Sequence, residues 1–96
     1  MNLLTKDLLK RFEEIGSQEQ DENPIVIAKF FNPTGLGTWY ATEYNPETKI
    51  FYGYANIFKG EWGEFSLEEL ENFMGPLSIG IERDLYFPET RFKDIK

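Results

Sequence analysis

Residues 25–58 read IVIAKFFNPTGLGTWYATEYNPETKIFYGYANIF and hold three segments that are rich in β-branched and aromatic residues. These segments are residues 25–31, 38–44 and 49–58. Such compositions are typical of strands. The first break contains a proline and two glycines, and the second reads Asn-Pro-Glu-Thr, which suits a type I turn. The stretch therefore predicts an antiparallel three-stranded meander.

The third segment places its side chains on two faces by the two-residue period of a strand. One face carries Phe51, Gly53, Ala55 and Ile57, and the other carries Ile50, Tyr52, Tyr54, Asn56 and Phe58. The small residues of the first set allow a helix to pack closely, whereas the second set forms a ladder of large rings. Gly53 is typical of a bulge or a close backbone approach.

Two helical patterns flank the meander. Residues 6–15 follow a capping threonine, Thr5, and present one apolar stripe that ends before a glycine. Residues 67–73 follow a capping box made by Ser66 and Glu69, and end before a Gly-Pro pair. Short amphipathic helices are marginal alone, so both are expected to dock on the sheet.

These elements predict an α+β fold, with an antiparallel meander of three to four strands and two helices packed on it. Residues 64–65 supply the fourth strand, and residues 76–87 are extended or irregular. The chain, residues 1–96, is expected to form a single domain. Within it, an acidic loop at residues 17–24 is predicted to be flexible, and a tail at residues 90–96 is predicted to fray.

The composition excludes several kinds of chemistry. The chain has no histidine and no cysteine, so Ser-His-Asp and Cys-His arrangements cannot be built, and thiolate metal sites are absent. No apolar run reaches the roughly 20 residues of a membrane span, and the N-terminus lacks a signal-peptide pattern. A cytoplasmic protein without membrane association is predicted.

Net charge points to the kind of partner. The 17 acidic and 10 basic residues give a net charge of −7, which disfavours direct binding to nucleic acid. It favours a protein partner with a basic surface, such as a nucleic-acid-binding effector, because carboxylates and phosphates are attracted to the same cationic groups. Solubility alone is the other interpretation of this charge. The candidate acidic contacts are Glu13, Glu14, Glu19, Asp21, Glu22, Glu61, Glu64, Glu68 and Glu71.

Tyr52, Tyr54 and Trp62 are the candidate aromatic contacts, because rings on a sheet face that no helix covers form a patch for a protein partner. Base stacking is disfavoured, since the lysines are scattered rather than aligned along a groove. The same face, or an open edge strand, supports a second hypothesis, a self-associating accessory module. The expected state is a monomer or a weak homodimer.

The carboxylates of Glu43, Glu82 and Asp84 have two interpretations. Carboxylates held roughly 5–9 Å apart in a cleft support hydrolysis, and they also bind Mg²⁺ or Ca²⁺. Alternatively, Arg83 joins these carboxylates in an ion-pair cluster that holds the tail to the sheet. We favour the cluster, so the sequence predicts no catalytic residue, no metal site and no cofactor.

Motifs distributed along the chain resemble one bacterial family. They are residues 3–9 (LLTKDLL), 29–33 (KFFNP), 39–44 (WYATEY), 63–70 (GEFSLEEL), 75–77 (GPL) and 81–87 (IERDLYF). The family is domain of unknown function family 2958, whose members are common on plasmids, conjugative elements and phages. The resemblance implies cargo of a mobile element, such as a conjugation accessory or an anti-CRISPR protein. The resulting hypothesis is a non-enzymatic binding module that inhibits a host defence nuclease.

Overall fold

The structure, a computed structural model that describes residues 2–95, has two helices packed on antiparallel β-structure. Its elements are α1 (Lys6–Ile15), β1 (Ile25–Val26), β2 (Ala28–Phe31), β3 (Thr38–Asn45), β4 (Ile50–Asn56), β5 (Gly60–Ser66), α2 (Leu67–Asn72), β6 (Glu82–Arg83) and β7 (Thr90–Arg91). Short 3-10 turns lie at Pro76–Ser78 and Phe92–Asp94. The predicted α+β class, the meander and both helices are confirmed. Both predicted caps form, since Thr5 and Ser66 accept hydrogen bonds from backbone N–H groups of the first turns.

The main sheet has five strands in the order β5-β4-β3-β2-β6, more than the three to four predicted. Strand β5 is the largest difference, because seven residues pair with β4 rather than the two predicted. Two glycines and two glutamates interrupt its β-forming pattern, and those residue types are depleted in strands. Its pairing with β4 outweighs this weak local preference.

The first predicted strand is divided at Ile27 into β1 and β2. Strand β2 joins the main sheet, whereas β1 forms a separate two-stranded sheet with β7. The segment for which the sequence predicts a frayed tail, residues 90–96, therefore carries a strand and a 3-10 turn in its described part. The backbone N–H of Phe92 also donates to the carbonyl oxygen of Pro24 at 2.8 Å.

The core lies between the helices and one face of the main sheet, which we call the core face. Phe51 and Phe30 are fully buried there, with ring centroids 5.2 Å apart, and Phe12 of α1 packs on Phe51 at 5.7 Å. The two-residue period predicted for β4 is confirmed, because Phe51 is buried and Tyr52 is exposed. The opposite face of the sheet, which carries Tyr52, is called the ring face.

Gly53 marks a close backbone approach, as predicted. A Cβ atom added there would lie 1.9 Å from the carbonyl oxygen of Tyr40 on the neighbouring strand. The register of β3 against β4 shifts between Ala41 and Glu43, which places a bulge at Thr42. The bulge increases local twist beside the rows of the ring face that form the candidate site.

Candidate protein-binding cleft

Two adjacent rows of side chains cross the ring face. In one row, Tyr40, Tyr54 and Trp62 are paired in register across β3, β4 and β5. In the next row, Tyr52 lies between Glu43 and Glu64. Paired residues on antiparallel strands point to the same face, so the aromatic row lies beside a row that is mostly acidic.

The rings are in contact with one another. The Trp62 centroid lies 5.4 Å from that of Tyr54 with the rings edge to face, and 6.1 Å from that of Tyr52 with the rings nearly parallel. These geometries are among those that aromatic pairs prefer. Tyr52 and Trp62 nevertheless remain 40% and 41% exposed, respectively.

The C-terminal segment covers the remainder of the aromatic row. The Phe92 ring lies 4.9 Å from Tyr54 and 4.7 Å from Trp62, and the Phe87 ring lies 6.4 Å from Tyr40. Of the three predicted aromatic contacts, Tyr54 is therefore half-buried beneath Phe92. Tyr52 and the outer part of Trp62 are available to a partner.

Hydrogen bonds to the acidic loop hold this segment in place. Arg91 donates to the Asp21 carboxylate at 2.9 Å and to the Asn23 carbonyl oxygen at 3.0 Å. The backbone N–H of Lys93 donates to the Asn23 side-chain oxygen at 2.9 Å. A hydrogen bond from the Asn23 backbone N–H, assisted by Arg91, lowers the pKa of Asp21. Asp21 is therefore ionised at neutral pH and forms part of a loop–tail clamp.

Gln18 fixes the acidic loop against the sheet. Its buried side-chain amide donates to the carbonyl oxygens of Ile25 and Thr42 at 2.8 and 2.9 Å, and accepts from the Ile25 N–H at 2.7 Å. Its backbone N–H donates to a carboxylate oxygen of Glu43 at 3.0 Å. These contacts place the loop beside Tyr52 and Trp62, whereas the predicted mobility of residues 17–24 stays a prediction.

The loop and the ring face enclose a cleft of about 190 Å³, which we call the acidic aromatic cleft. Its lining includes Glu19, Asp21 and Glu22 of the loop, together with Glu43, Tyr52 and Trp62 of the sheet. Within residues 2–95, Glu19 and Glu22 have no ion-pair partner. A cleft of this volume has room for about six water molecules, and hence for the head group of one long side chain.

A larger, open cleft of about 590 Å³ adjoins the first and shares Glu43 and Tyr52 with it. Glu13 and Glu64 also line it, so two more predicted acidic contacts border the same cleft as Tyr52. Tyr44 also lines it, and burial raises the pKa of its phenol, with smaller contributions from Glu71 and Glu68. The phenol is therefore protonated at neutral pH.

The other predicted acidic contacts lie elsewhere and already have partners. Glu14 pairs with Arg11 at 3.8 Å, Glu61 with Lys59 at 3.6 Å, and Glu68 with Lys49 at 3.6 Å. The Glu71 carboxylate accepts a hydrogen bond from the backbone N–H of buried Leu3 at 3.1 Å. The predicted set therefore divides into acids around the rings and acids engaged within the fold.

The predicted ion-pair cluster is wrong in its inclusion of Glu43. Arg83 pairs in register with Phe30, and Phe30 with Trp39, so Glu43 lies two strands away and four residues further along β3. Arg83 shares the core face with Phe30 and Trp39, whereas Glu43 is paired with Tyr52 on the ring face, so the two side chains point to opposite sides of the sheet. Glu43 instead accepts the Gln18 N–H of the acidic loop.

Strand β6 and the residue after it tie down a different segment from the one predicted. Arg83 donates to the carbonyl oxygens of Asn2 and Leu3 at 2.8 and 3.0 Å, so it holds the N-terminal segment rather than the tail. Asp84 pairs with Lys29 at 3.9 Å, and Glu82 is paired in register with Phe31 at the sheet edge. Among residues 2–95, no three acidic side chains cluster with a geometry suited to a metal ion.

Sequence reasoning missed two parts of the site, the anchoring role of Gln18 and the coverage by the C-terminal segment. Phe92, the aromatic residue of a tail that is otherwise mostly charged, was the local signal for that coverage. Gln18 gave no signal, because an isolated glutamine in a polar loop is ordinary.

Comparisons with known proteins identify the family and no activity. None of the helices in residues 2–95 has the length and apolar character needed to span a bilayer. No curated protein and no solved structure matches the chain significantly. The model of the family described as "Protein of unknown function (DUF2958)" matches residues 2–93, nearly the entire sequence. The chain therefore belongs to the DUF2958 family.

Proposed function

We propose that this protein is a non-enzymatic binding module that takes a basic side chain of a partner protein into the acidic aromatic cleft. One observation carries the proposal. One cleft brings together two kinds of predicted contact. Glu19 and Glu22 of the loop were predicted from the acidic charge, and Tyr52 and Trp62 were predicted as rings on an uncovered sheet face. All four line the cleft with Glu43.

The chemistry of the cleft suits a guanidinium or ammonium group. A cation over the face of Trp62 or Tyr52 gains about 0.5–1 kcal/mol when exposed, and about 2 kcal/mol or more when desolvated. The nearby carboxylates replace the water that the cation loses. Arginine is preferred over lysine, because its planar guanidinium stacks on rings and forms paired hydrogen bonds with a carboxylate.

The wider charge distribution favours a partner with a basic groove. With a net charge of −7, the protein attracts cationic surfaces over a distance of about 10 Å at moderate salt. A nuclease groove that binds nucleic acid offers such a surface. We therefore propose a host defence nuclease as the target, and a mobile-element inhibitor as the role of this protein. Inhibition would occur by competition with the nucleic acid.

A charge-matched pair of variants tests the cleft. Binding of a hexa-arginine peptide is measured by calorimetry at 20 and 300 mM NaCl for the parent and for Glu19→Gln/Glu22→Gln. We expect at least tenfold weaker binding to this variant at low salt, and a steep loss for the parent at high salt. The control, Asp7→Asn/Glu47→Gln, removes two charges that lie outside the cleft and should change the affinity by less than threefold. Equal losses of affinity in both variants would show that the peptide is attracted by net charge alone, and would refute binding at the cleft.

Self-association is the second candidate, because β5 is an open edge seven residues long. Light scattering across protein concentration and salt separates the two functions. An interface formed through the strand edge should persist at 300 mM NaCl and strengthen with protein concentration. A protein that remains monomeric at high concentration argues against this candidate.

A further inference from the structure

Strand β5 forms one edge of the main sheet and leaves half of its backbone groups unused. In the part of the chain that the structure describes, β4 is its one strand neighbour, and the two pair continuously from Gly60 to Ser66. Alternate residues of an edge strand direct their N–H and C=O groups away from the sheet, where they can pair with an added strand. The strand has no proline, the residue that would prevent such pairing.

We propose that an extended segment of the basic partner pairs with β5 as a sixth strand. The inference rests on the proposed function, because it concerns the same partner and places its side chains at the same cleft. It adds the backbone geometry of recognition and a residue pattern for the bound segment.

The charge of the edge favours a basic segment over a second copy of this chain. Glu64 is exposed beside Trp62 on the ring face of β5, whereas Glu61 lies on the core face and pairs with Lys59 at 3.6 Å. Lysine or arginine in the added strand would lie beside Glu64 and Trp62 on the ring face, next to the acidic aromatic cleft. Two copies joined through β5 would instead bring two Glu64 carboxylates to the ring face of one interface, which like-charge repulsion disfavours.

The core face of the same strand favours apolar side chains in the alternate positions. Phe65 stacks on Phe51 with centroids 5.5 Å apart and continues the core to the edge of the sheet. Gly63 has no heavy atom within 4 Å of the position of a Cβ atom, so it leaves space beside Phe65. A mostly apolar cavity of about 450 Å³, lined by Phe65, Leu70 and others, borders this end of β5.

The bound segment should therefore alternate basic and apolar residues. In a strand, this period places every basic side chain on one face and every apolar side chain on the other. The probe is a seven-residue synthetic peptide in which arginine or lysine alternates with valine or phenylalanine. A scrambled peptide of the same composition serves as its control.

N-methylation of the peptide tests strand pairing directly. Two forms of the peptide are made, methylated at the two complementary sets of alternate backbone nitrogens. Alternate N–H groups of a strand point to opposite edges, so only one form has methyl groups on the peptide edge that would face β5. We expect that form to bind at least tenfold more weakly, while the other binds within threefold of the parent peptide. Amides of β5 should show slower hydrogen exchange when the unmethylated peptide is bound.

The outcomes separate this inference from the proposed function. If both methylated forms bind as the parent does, or if the β5 amides are unaffected, the sixth strand is refuted. If the Glu19→Gln/Glu22→Gln variant still binds the peptide more weakly than the parent protein in that case, the peptide binds at the cleft without strand pairing. If the alternating peptide fails to bind while hexa-arginine still binds at the cleft, the sixth strand is refuted and the proposed function stands; if neither peptide binds, both proposals are refuted. Protection of β5 amides in a dimer formed without peptide assigns the edge to a second copy and overturns the inference.

Discussion

Gly53 and Gly63 are paired directly across β4 and β5, yet substitution by alanine should have opposite effects at the two positions. A Cβ atom at Gly53 would lie 1.9 Å from the Tyr40 carbonyl oxygen and 3.0 Å from the Ala41 Cα. Both obstacles are backbone atoms, so no side chain can rotate away. Strands β3 and β4 would have to move apart by roughly 1 Å to relieve the contact, so the cost should reach or exceed the upper end of the range of about 1–3 kcal/mol typical of overpacking.

We therefore expect Gly53→Ala to lower the free energy of unfolding by about 3 kcal/mol or more. For a domain of this size that loss corresponds to a decrease in Tm of about 12–24 °C, and it removes a large part of a total stability of roughly 5–15 kcal/mol. Gly63→Ala meets no obstacle and restricts the unfolded chain, so it should be neutral or stabilise by up to about 1 kcal/mol.

Urea unfolding followed by circular dichroism at 25 °C measures both variants under one protocol. Both variants carry the same chemical substitution, so any general effect of replacing glycine cancels when they are compared. A Gly53→Ala protein within 1 kcal/mol of the parent would show that the β3–β4 contact is looser than described. Destabilisation of Gly63→Ala by more than 1 kcal/mol would show that the β5 side of this row is not open.

Other perturbations address the core and the loop–tail clamp. Phe51→Ala removes a fully buried ring from the centre of the aromatic core, and urea unfolding should show a loss of about 3–5 kcal/mol. Arg91→Ala should accelerate hydrogen exchange at the β7 amides while leaving the urea midpoint of the whole domain unchanged, because the clamp is local. Since the folded-state pKa of Asp21 is lowered, the clamp contributes fully above its unfolded pKa of about 3.9 and is lost as pH falls through the folded value. Exchange at β7 should therefore show no loosening of the clamp between pH 7 and 5, once the intrinsic dependence on pH is removed, and loosening below pH 4.

Local chemistry predicted those elements whose signals lie within about ten residues of one another. The caps at Thr5 and Ser66 and the turn at residues 45–48 gave both helices and the β3–β4 hairpin. Strand β5 was underestimated because its glycines and glutamates disfavour a strand in isolation. Strand β7 was missed because its two residues become a strand only through pairing with Ile25 and Val26, some 65 positions earlier.

The sequence predicted which face carries the rings of the candidate site, but not which acidic residues lie beside them. The two-residue period correctly placed Tyr52 and Tyr54 on the face opposite the helices. Which of nine acids would meet those rings depends on where the loop returns to the sheet, and the buried amide of Gln18 determines that position. The same missing long-range contact caused Glu43 to be assigned to Arg83 rather than to the loop.

The difference in ring burial between the core face and the ring face is the strongest physical argument for a binding role. On the core face, the Phe51 ring contacts the rings of Phe12, Phe30, Tyr44 and Phe65, so burial of these rings contributes to folding. On the ring face, the C-terminal segment covers Tyr54 and stops short of Tyr52 and the outer part of Trp62. A single exposed ring is ordinary, but two adjacent exposed rings beside unpaired carboxylates leave apolar area in water and add like-charge repulsion. A cationic partner would remove both unfavourable effects, because it would cover the exposed rings and neutralise the carboxylates. Folding of the chain alone removes neither effect.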